Sequence, residues 1–335
     1  MAGAVRTVTP VVLLAALLYA PAGLVEQHMG ADFARNTFPR LVRPILKALI
    51  GLGIARTLNR ALNSLATNNW RISSATWDWP KEIAVVTGGC SGIGLAIVEG
   101  LAARGVKVAV LDVNDPPPAV RSNHRVTYFK CDVTSLQQVI DTANAVRETM
   151  GGDPTILVNN AGIARFNSLL DIPEQSLRQV LGVNLMALWF TTKQFLPAMI
   201  KGNKGHVVTV ASLASFVALP MSIEYSATKA GALAFHEGLT CEIKHLYKAR
   251  GIMTTVVHPN FVRTAMTVPH AARIERTQKM LAVEDISSPV LEQVFSGRGG
   301  QLVLPARLDI LTGIRGWPNW MQEALRDILG KASCR

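Results

Sequence analysis

Four cysteines in 335 residues, Cys90, Cys131, Cys241 and Cys334, lie far apart and form no C-x-x-C pair. Neither a disulfide scaffold nor a zinc site is indicated. Cys241 and His245 would share a helix face at four residues' spacing, but no further ligand is spaced near them, so ordinary packing accounts for the pair and no metal is expected. Charged residues are scarce at 17% and aromatics at 6%, while hydrophobic residues reach 49%. Mean hydropathy is +0.25, apolar for a soluble enzyme, and the balance points toward a membrane surface. The formal net charge of +11 comes from scattered Lys and Arg, with no basic run and no interleaved aromatic platform, so nucleic acid is not an expected partner. Residues 1–80 carry eight Lys/Arg against three Asp/Glu beside apolar stretches, a pattern that suits anionic lipid.

A long uninterrupted apolar run is also missing. Pro10 to Val25 gives sixteen such residues behind Arg6, short of the roughly 20 a spanning helix needs. Pro21, placed after Tyr19 and Ala20, disfavours cleavage of a secretory signal there. Residues 1–36 therefore read as a retained hydrophobic anchor, a transmembrane helix or a hairpin. Residues 37–78 read as two basic amphipathic helices. Leu41, Val42, Ile45, Leu46 and Leu49 share one arc opposite Arg40, Arg43 and Lys47. After a break at Gly51-Leu52-Gly53, Ile54, Leu58, Leu62 and Leu65 oppose Arg56, Asn59, Arg60 and Asn63. Such faces suit a bilayer interface, and they also suit packing on the protein itself.

Beyond Trp79-Pro80 short β-rich runs alternate with stretches of helical period. The runs are Ile83–Thr87, Val106–Asp112, Val126–Cys131, Ile156–Asn159, Val207–Ala211, Ile252–His258 and Gln301–Leu304. This alternation predicts an α/β fold, a Rossmann-type doubly wound parallel sheet, over residues 79–305. The first run leads straight into Thr87-Gly88-Gly89-Cys90-Ser91-Gly92-Ile93-Gly94 and then a helix. Glycines between a strand and a helix let backbone N–H groups approach a pyrophosphate at the positive helix end. Asp112 closes the second strand eighteen residues after Gly94, where a carboxylate can accept from both ribose hydroxyls and would repel a 2′-phosphate. Ser91, standing where a basic residue would help a phosphate, agrees, so NAD is expected before NADP.

These motifs resemble the short-chain dehydrogenase/reductase family over about Lys81 to Thr264. By that resemblance Thr87, Gly88, Gly92, Ile93 and Gly94 form the cofactor turn, Asp132 and Val133 lie at the adenine, and Asn159-Asn160-Ala161-Gly162 steadies the sheet and lines the cofactor. The resemblance also implies a catalytic tetrad of Asn184, Ser212, Tyr225 and Lys229, with Asn184 supporting a proton-carrying water chain. In the stretch His258-Pro259-Asn260-Phe261-Val262-Arg263-Thr264 it implies cofactor contacts from Pro259, Val262 and Thr264, the last at the nicotinamide carboxamide. Asn260 stands where the family commonly has Gly, and asparagine tolerates a left-handed backbone. His258 reads as a loop or packing residue.

The chemistry stands without the family. Tyr225 and Lys229, four apart, share a helix face. A phenol titrates near ~10, and a neighbouring ammonium together with a positive nicotinamide would favour its phenolate. Tyr225 could then take an alcohol's proton or give one to a carbonyl, with Ser212 holding the same oxygen.

After Thr264, Met266, Val268, Met280 and Leu281 suggest an apolar substrate pocket. The tail 306–335, with Leu308, Ile310, Leu311, Trp317, Trp320, Leu325 and Ile328, resembles that of membrane and lipid-droplet retinol dehydrogenases and 17β-hydroxysteroid dehydrogenases. That likeness implies a lipophilic retinoid, steroid or fatty alcohol or ketone. It also implies association with the endoplasmic reticulum or a lipid droplet, a cytosolic catalytic domain and often a homo-oligomer. An enzyme of secondary metabolism acting on a polyketide or terpenoid is the alternative. A non-catalytic lipid-surface scaffold is the rival from another class, disfavoured because the fold needs neither Tyr225 nor Lys229. A serine hydrolase built on Ser212 lacks both a G-x-S-x-G elbow and a histidine placed as base.

Overall fold

A proline inside an apolar run lacks the amide proton that would continue a helix, and Pro21 breaks the N-terminal run. In the computed structural model, which describes residues 12–72, 76–276 and 278–333, that run becomes α1 (Val12–Leu18) and α2 (Ala22–Met29), bent by 90° at the break. The transmembrane helix expected here is thereby corrected. Among the described residues no single helix is long and apolar enough to cross a membrane, although the bent pair together has that length and composition. Arg6, Pro10, Val11 and Cys334 lie outside the described residues.

Contacts divide the chain into two compact units, one ending at Ala66 and one beginning at Thr67. In the first, a π-helical stretch, Phe33–Val42, leads into α3 (Arg43–Thr67). The expected pair of amphipathic helices is thus one continuous helix, with no break at Gly51-Leu52-Gly53. Glycine weakens a helix by about 1 kcal/mol relative to alanine, but it keeps its N–H and clashes with nothing, so unlike proline it need not end one. Leu18, Val25, Phe38 and Leu46 form a small buried cluster. Leu41, Ile45, Leu49, Leu52, Leu58 and Leu62 remain exposed.

In the second unit, seven strands form one all-parallel sheet. They are β1 (Ile83–Thr87), β2 (Lys107–Asp112), β3 (Val126–Lys130), β4 (Ile156–Asn159), β5 (Gly205–Val210), β6 (Ile252–Pro259) and β7 (Gly300–Leu304), in the spatial order β3-β2-β1-β4-β5-β6-β7. The central strands read as unbroken apolar runs because both faces are covered, and every residue of β1, β4, β5 and β6 is buried. The crossover helices are α4 (Gly92–Ala103), α5 (Pro118–Arg121), α6 (Leu136–Met150), α7 (Glu174–Leu181), α8 (Ala187–Gly202), α9 (Ile223–Cys241), α10 (Ala271–Glu275) and α11 (Glu284–Phe295). One face packs Ile97, Leu101, Ile286 and Val290 of α4 and α11 on the sheet. The other packs Val139, Val146, Phe195 and Leu239 of α6, α8 and α9.

After β7 a 3-10 stretch, Ala306–Gly316, and α12 (Asn319–Ser333) return over the C-terminal ends of the strands. Ile314, Trp317 and Leu325 pack with Leu213, Phe216 and Val217. Arg315 donates to the Ser215 carbonyl at 3.0 Å, which seats the tail beside Ser212.

Candidate active site

The chain reverses its direction of sheet growth between β1 and β4, and the crevice at that switch point is where ligands of doubly wound sheets bind. Two side chains hold it open. Thr87 Oγ1 accepts from the amides of Asn160 and Ala161, each at 3.0 Å, and Asn160 Nδ2 donates to the carbonyls of Thr87 and Gly88, each at 3.0 Å. Gly88 and Gly92 have φ of +64° and +53°, conformations open to glycine. A Cβ on Gly94 would stand 2.1 Å from the Gly88 carbonyl oxygen, so only glycine lets α4 start this close to the turn. Its N-terminal amides and positive dipole end face the crevice, a cradle that fits a pyrophosphate. Asp112 is oriented by three donors, the Cys90 amide at 2.9 Å on one oxygen and the Asn114 amide (2.9 Å) and Nδ2 (3.0 Å) on the other. The oxygen that takes the Cys90 amide keeps a second lone pair to offer a ribose hydroxyl. These residues fit a dinucleotide.

At the next strand ends the acid/base groups assemble. Lys229 Nζ lies 5.6 Å from the centre of the Tyr225 ring and donates to the Val210 carbonyl at 2.8 Å. Burial lowers the ammonium to about 8. The Tyr225 phenol is raised by burial, and the Ser212 hydroxyl bonded to it pulls the other way. Among the chain's own groups burial outweighs the hydrogen bond, and the lowering expected above counts the positive charge of a nicotinamide as well. Ser212 Oγ accepts from the Ala214 amide at 3.1 Å and reaches the Pro259 carbonyl at 3.4 Å. Behind it His258 Nδ1 lies 3.1 Å from the Ser212 carbonyl. Burial lowers that imidazole to about 4, so it is neutral and steadies Ser212.

Asn184 sits in a π turn, Gly182–Met186, between α7 and α8. Its amide pairs with both backbone groups of Ile163 at 2.8 Å and donates to Thr228 Oγ1 at 3.2 Å. Its Oδ1 and Lys229 Nζ each stand 3.6 Å from where a Cβ on Gly162 would be. Gly162 thus leaves a gap that any side chain would fill.

A sequence model of the short chain dehydrogenase family matches residues 82–275. The chain belongs to this family. Dehydrogenase RED2 of Cochliobolus heterostrophus is 41% identical over 209 residues, 62% of this chain and 78% of that protein. Human estradiol 17-beta-dehydrogenase 11 is 35% identical over 189 residues, 55% and 62% of the two chains. A short chain dehydrogenase/reductase from Burkholderia phymatum, solved in complex with NAD, shares the fold with a TM-score of 0.64 over 72% of this chain and 95% of that one, at 22% identity. The protein is accordingly an NAD(P)-dependent oxidoreductase acting on a CH–OH group.

In this short-chain dehydrogenase the crevice and the acid/base groups share one cavity of about 870 Å³. Its wall includes Gly88, Ser91, Gly92, Ile93, Asp112, Asp132, Val133, Asn160, Ala161 and Gly162, together with Ser212, Tyr225, Lys229, Pro259, Val262 and Thr264, and Thr264 lies against Gly92. Thr87, Gly94 and Asn184 are absent from the wall. They shape it from behind through the bonds just described. Of the four apolar residues expected in the pocket only Met266 lines it. Val268 is exposed, Met280 is buried in packing, and Leu281 joins the core beside α11.

Three wall residues come instead from the tail: Leu308, Leu311 and Leu329. Sequence reasoning noted an apolar tail but had no means of folding it back onto the cavity. It also missed His258 as the support of Ser212. The φ of Asn260 is not positive, so this turn makes no use of the left-handed region, and asparagine costs it nothing.

Proposed function

We propose that this dehydrogenase oxidises a lipophilic secondary or primary alcohol with NAD at the endoplasmic reticulum membrane or at a lipid-droplet surface. The observation that carries the reading is the wall of the substrate end. Beyond Tyr225 and Ser212 it includes Val217, Leu219, Phe261, Met266, Leu308 and Leu311 alongside the polar Ser222, Asn260 and Gln278, and the apolar groups favour an apolar substrate body by roughly 25 cal/mol per Å² buried. The relationship to estradiol 17-beta-dehydrogenase 11 supports a steroid alcohol as one member of the class.

Tyr225, as the phenolate, accepts the alcohol's proton and becomes the phenol, Ser212 donates to the same oxygen and orients it, and Lys229 supplies positive charge that favours the phenolate before the transfer. Asn184 fixes the Ile163 segment that borders the Gly162 gap. A bound nicotinamide supplies the hydride acceptor. Asp112 supports NAD over NADP, since a 2′-phosphate would meet a buried carboxylate. The exposed leucine and isoleucine row on α3, with Arg43, Lys47, Arg56 and Arg60 on the same helix, supports contact with an anionic lipid surface. A homo-oligomer accords with the family.

The test is NADH or NADPH appearance with retinoid, steroid and long-chain alcohols against short polar alcohols and sugars, on membrane-bound full-length protein. Turnover with NAD and the apolar set supports the proposal. Preference for sugars or for NADP overturns its specificity.

A further inference from the structure

Between β6 and α11 the chain leaves the sheet, crosses the cavity and returns. The neck of this excursion is fastened by backbone. Val262 bridges Leu281 in parallel, Arg263 N–H donates to the Leu281 carbonyl, and Leu281 N–H donates to the Phe261 carbonyl, both at 2.9 Å. The described residues between them, 264–276 and 278–280, form a lid over the cavity. Its first residue reaches the cofactor end, where Thr264 Cγ2 lies 3.2 Å from the position of a Cβ on Gly92. Thr267, Pro269 and His270 roof the cavity, and the His270 ring lies 4.1 Å from that of Phe166 on the opposite wall.

Three side-chain links tie the lid back to the strand exit; at its near end the Thr267 hydroxyl donates to the Val262 carbonyl, and the other two hold its far half. The Arg263–Glu275 pair is solvent-exposed at 53% and 41%, and such pairs contribute little in water. The other is an amide pair. Asn260 Nδ2 donates to Gln278 Oε1 at 2.6 Å, both residues are half-buried, and both line the cavity. Asn260 directly follows Pro259, the residue whose carbonyl the Ser212 hydroxyl reaches. One short segment therefore carries both the support of Ser212 and the fastening of the lid. The backbone at 260 makes no demand for asparagine, so what the side chain adds is this bond.

We propose that Asn260 is a positioning residue which, through Gln278, holds the lid closed over the reaction end of the cavity. The proposal rests on the dehydrogenase reading for its consequence but not for its test. Arg273, Arg276 and Lys279 place three tryptic sites in the lid, and Arg276 and Lys279 are exposed. A lid hydrogen bond of ordinary net strength shifts the open population by about twofold to tenfold.

The experiment is limited trypsinolysis of full-length protein, with lid cleavage mapped by mass, for wild type, Asn260→Ala, Gln278→Ala, the double variant and Asn260→Asp. Each single alanine variant is expected to speed lid cleavage by about twofold to tenfold, with cleavage elsewhere and Tm unchanged, and the double variant no further. Asn260→Asp keeps an acceptor for the Gln278 Nε2 protons once that amide turns over, so it is expected to stay near the wild-type rate. In turnover assays Asn260→Ala raises KM for the alcohol more than it lowers kcat. Wild-type cleavage rates in both alanine variants would overturn the proposal, and so would fully multiplicative effects in the double variant. Inactivity toward every alcohol would sink the functional reading while leaving the cleavage result to decide this one.

Discussion

Replacing Lys229 by methionine should destroy turnover and yet stabilise the fold at neutral pH. The side chain is 4% exposed and its ammonium is brought from 10.5 to about 8 by burial alone. Below pH 8 the folded chain holds a charge it has stripped of water, and the full penalty is present. Between pH 8 and 10.5 the unfolded lysine stays protonated while the folded one gives up its proton, so the unfolded state binds more protons and wild-type stability rises with pH. Above 10.5 both forms are neutral and the penalty is gone. The drop from 10.5 to about 8 corresponds to about 3 kcal/mol at pH 7. Methionine has a similar length and no charge, but it forfeits the bond to the Val210 carbonyl, which takes back about 1 kcal/mol. The net gain of about 2 kcal/mol should raise Tm by roughly 4 to 8 °C at pH 7. Differential scanning fluorimetry of both proteins from pH 7 to 10.5 measures it. The advantage of the variant should shrink as pH rises through 8. A variant less stable than wild type at pH 7, or a gap independent of pH, refutes this effect of burial.

Three further outcomes follow from the same geometry. Asp112→Ser removes the carboxylate that would face a 2′-phosphate and should move the NAD to NADP ratio of kcat/KM toward NADP by about tenfold or more. It also leaves the Cys90 and Asn114 amides short of an acceptor, at a stability cost of about 1–3 kcal/mol readable by urea unfolding. Gly94→Ala puts a methyl 2.1 Å from the Gly88 carbonyl oxygen, and dinucleotide binding measured by calorimetry should fall at least tenfold. Brief iodoacetamide treatment of native protein at pH 8 should alkylate exposed Cys241 and spare Cys90 and Cys131. Cys90 is buried and pushed up to about 12 by burial and by Asp112, and peptide mapping reads the outcome.

All seven strands were legible because a parallel sheet covered on both faces turns each strand into a short apolar run, and all seven runs became strands within one or two residues at either end. The glycine turn and Asp112 were legible for a different reason: strand, glycines, helix and acid follow one another in the chain, so their spacing carries their geometry. Where geometry depends on contacts remote in sequence, the residues fell silent. Nothing near Leu308 or Leu329 announces that it returns to Ser212, and the clasp of Asn260 on Gln278 is a pairing of two polar residues indistinguishable in the sequence from surface ones. The π turn that aims Asn184 at Ile163 inserts an extra residue into a helix, and Gly182 at its start is too permissive a residue to mark which irregularity follows. At Gly51 and Gly53 the local rule misled, since a low propensity is not a steric block.

The central claim is that Tyr225 is the group that exchanges a proton with the alcohol, and the pair of measurements on Tyr225→Phe tests it most directly. The variant differs by one oxygen, on a side chain already held by the α9 helix, so it should fold and bind NAD with the wild-type Kd. Its kcat for the best apolar alcohol should fall by roughly 10²–10⁴. Wild-type binding with collapsed turnover is the predicted result. Turnover in the variant within a few-fold of wild type would contradict the account.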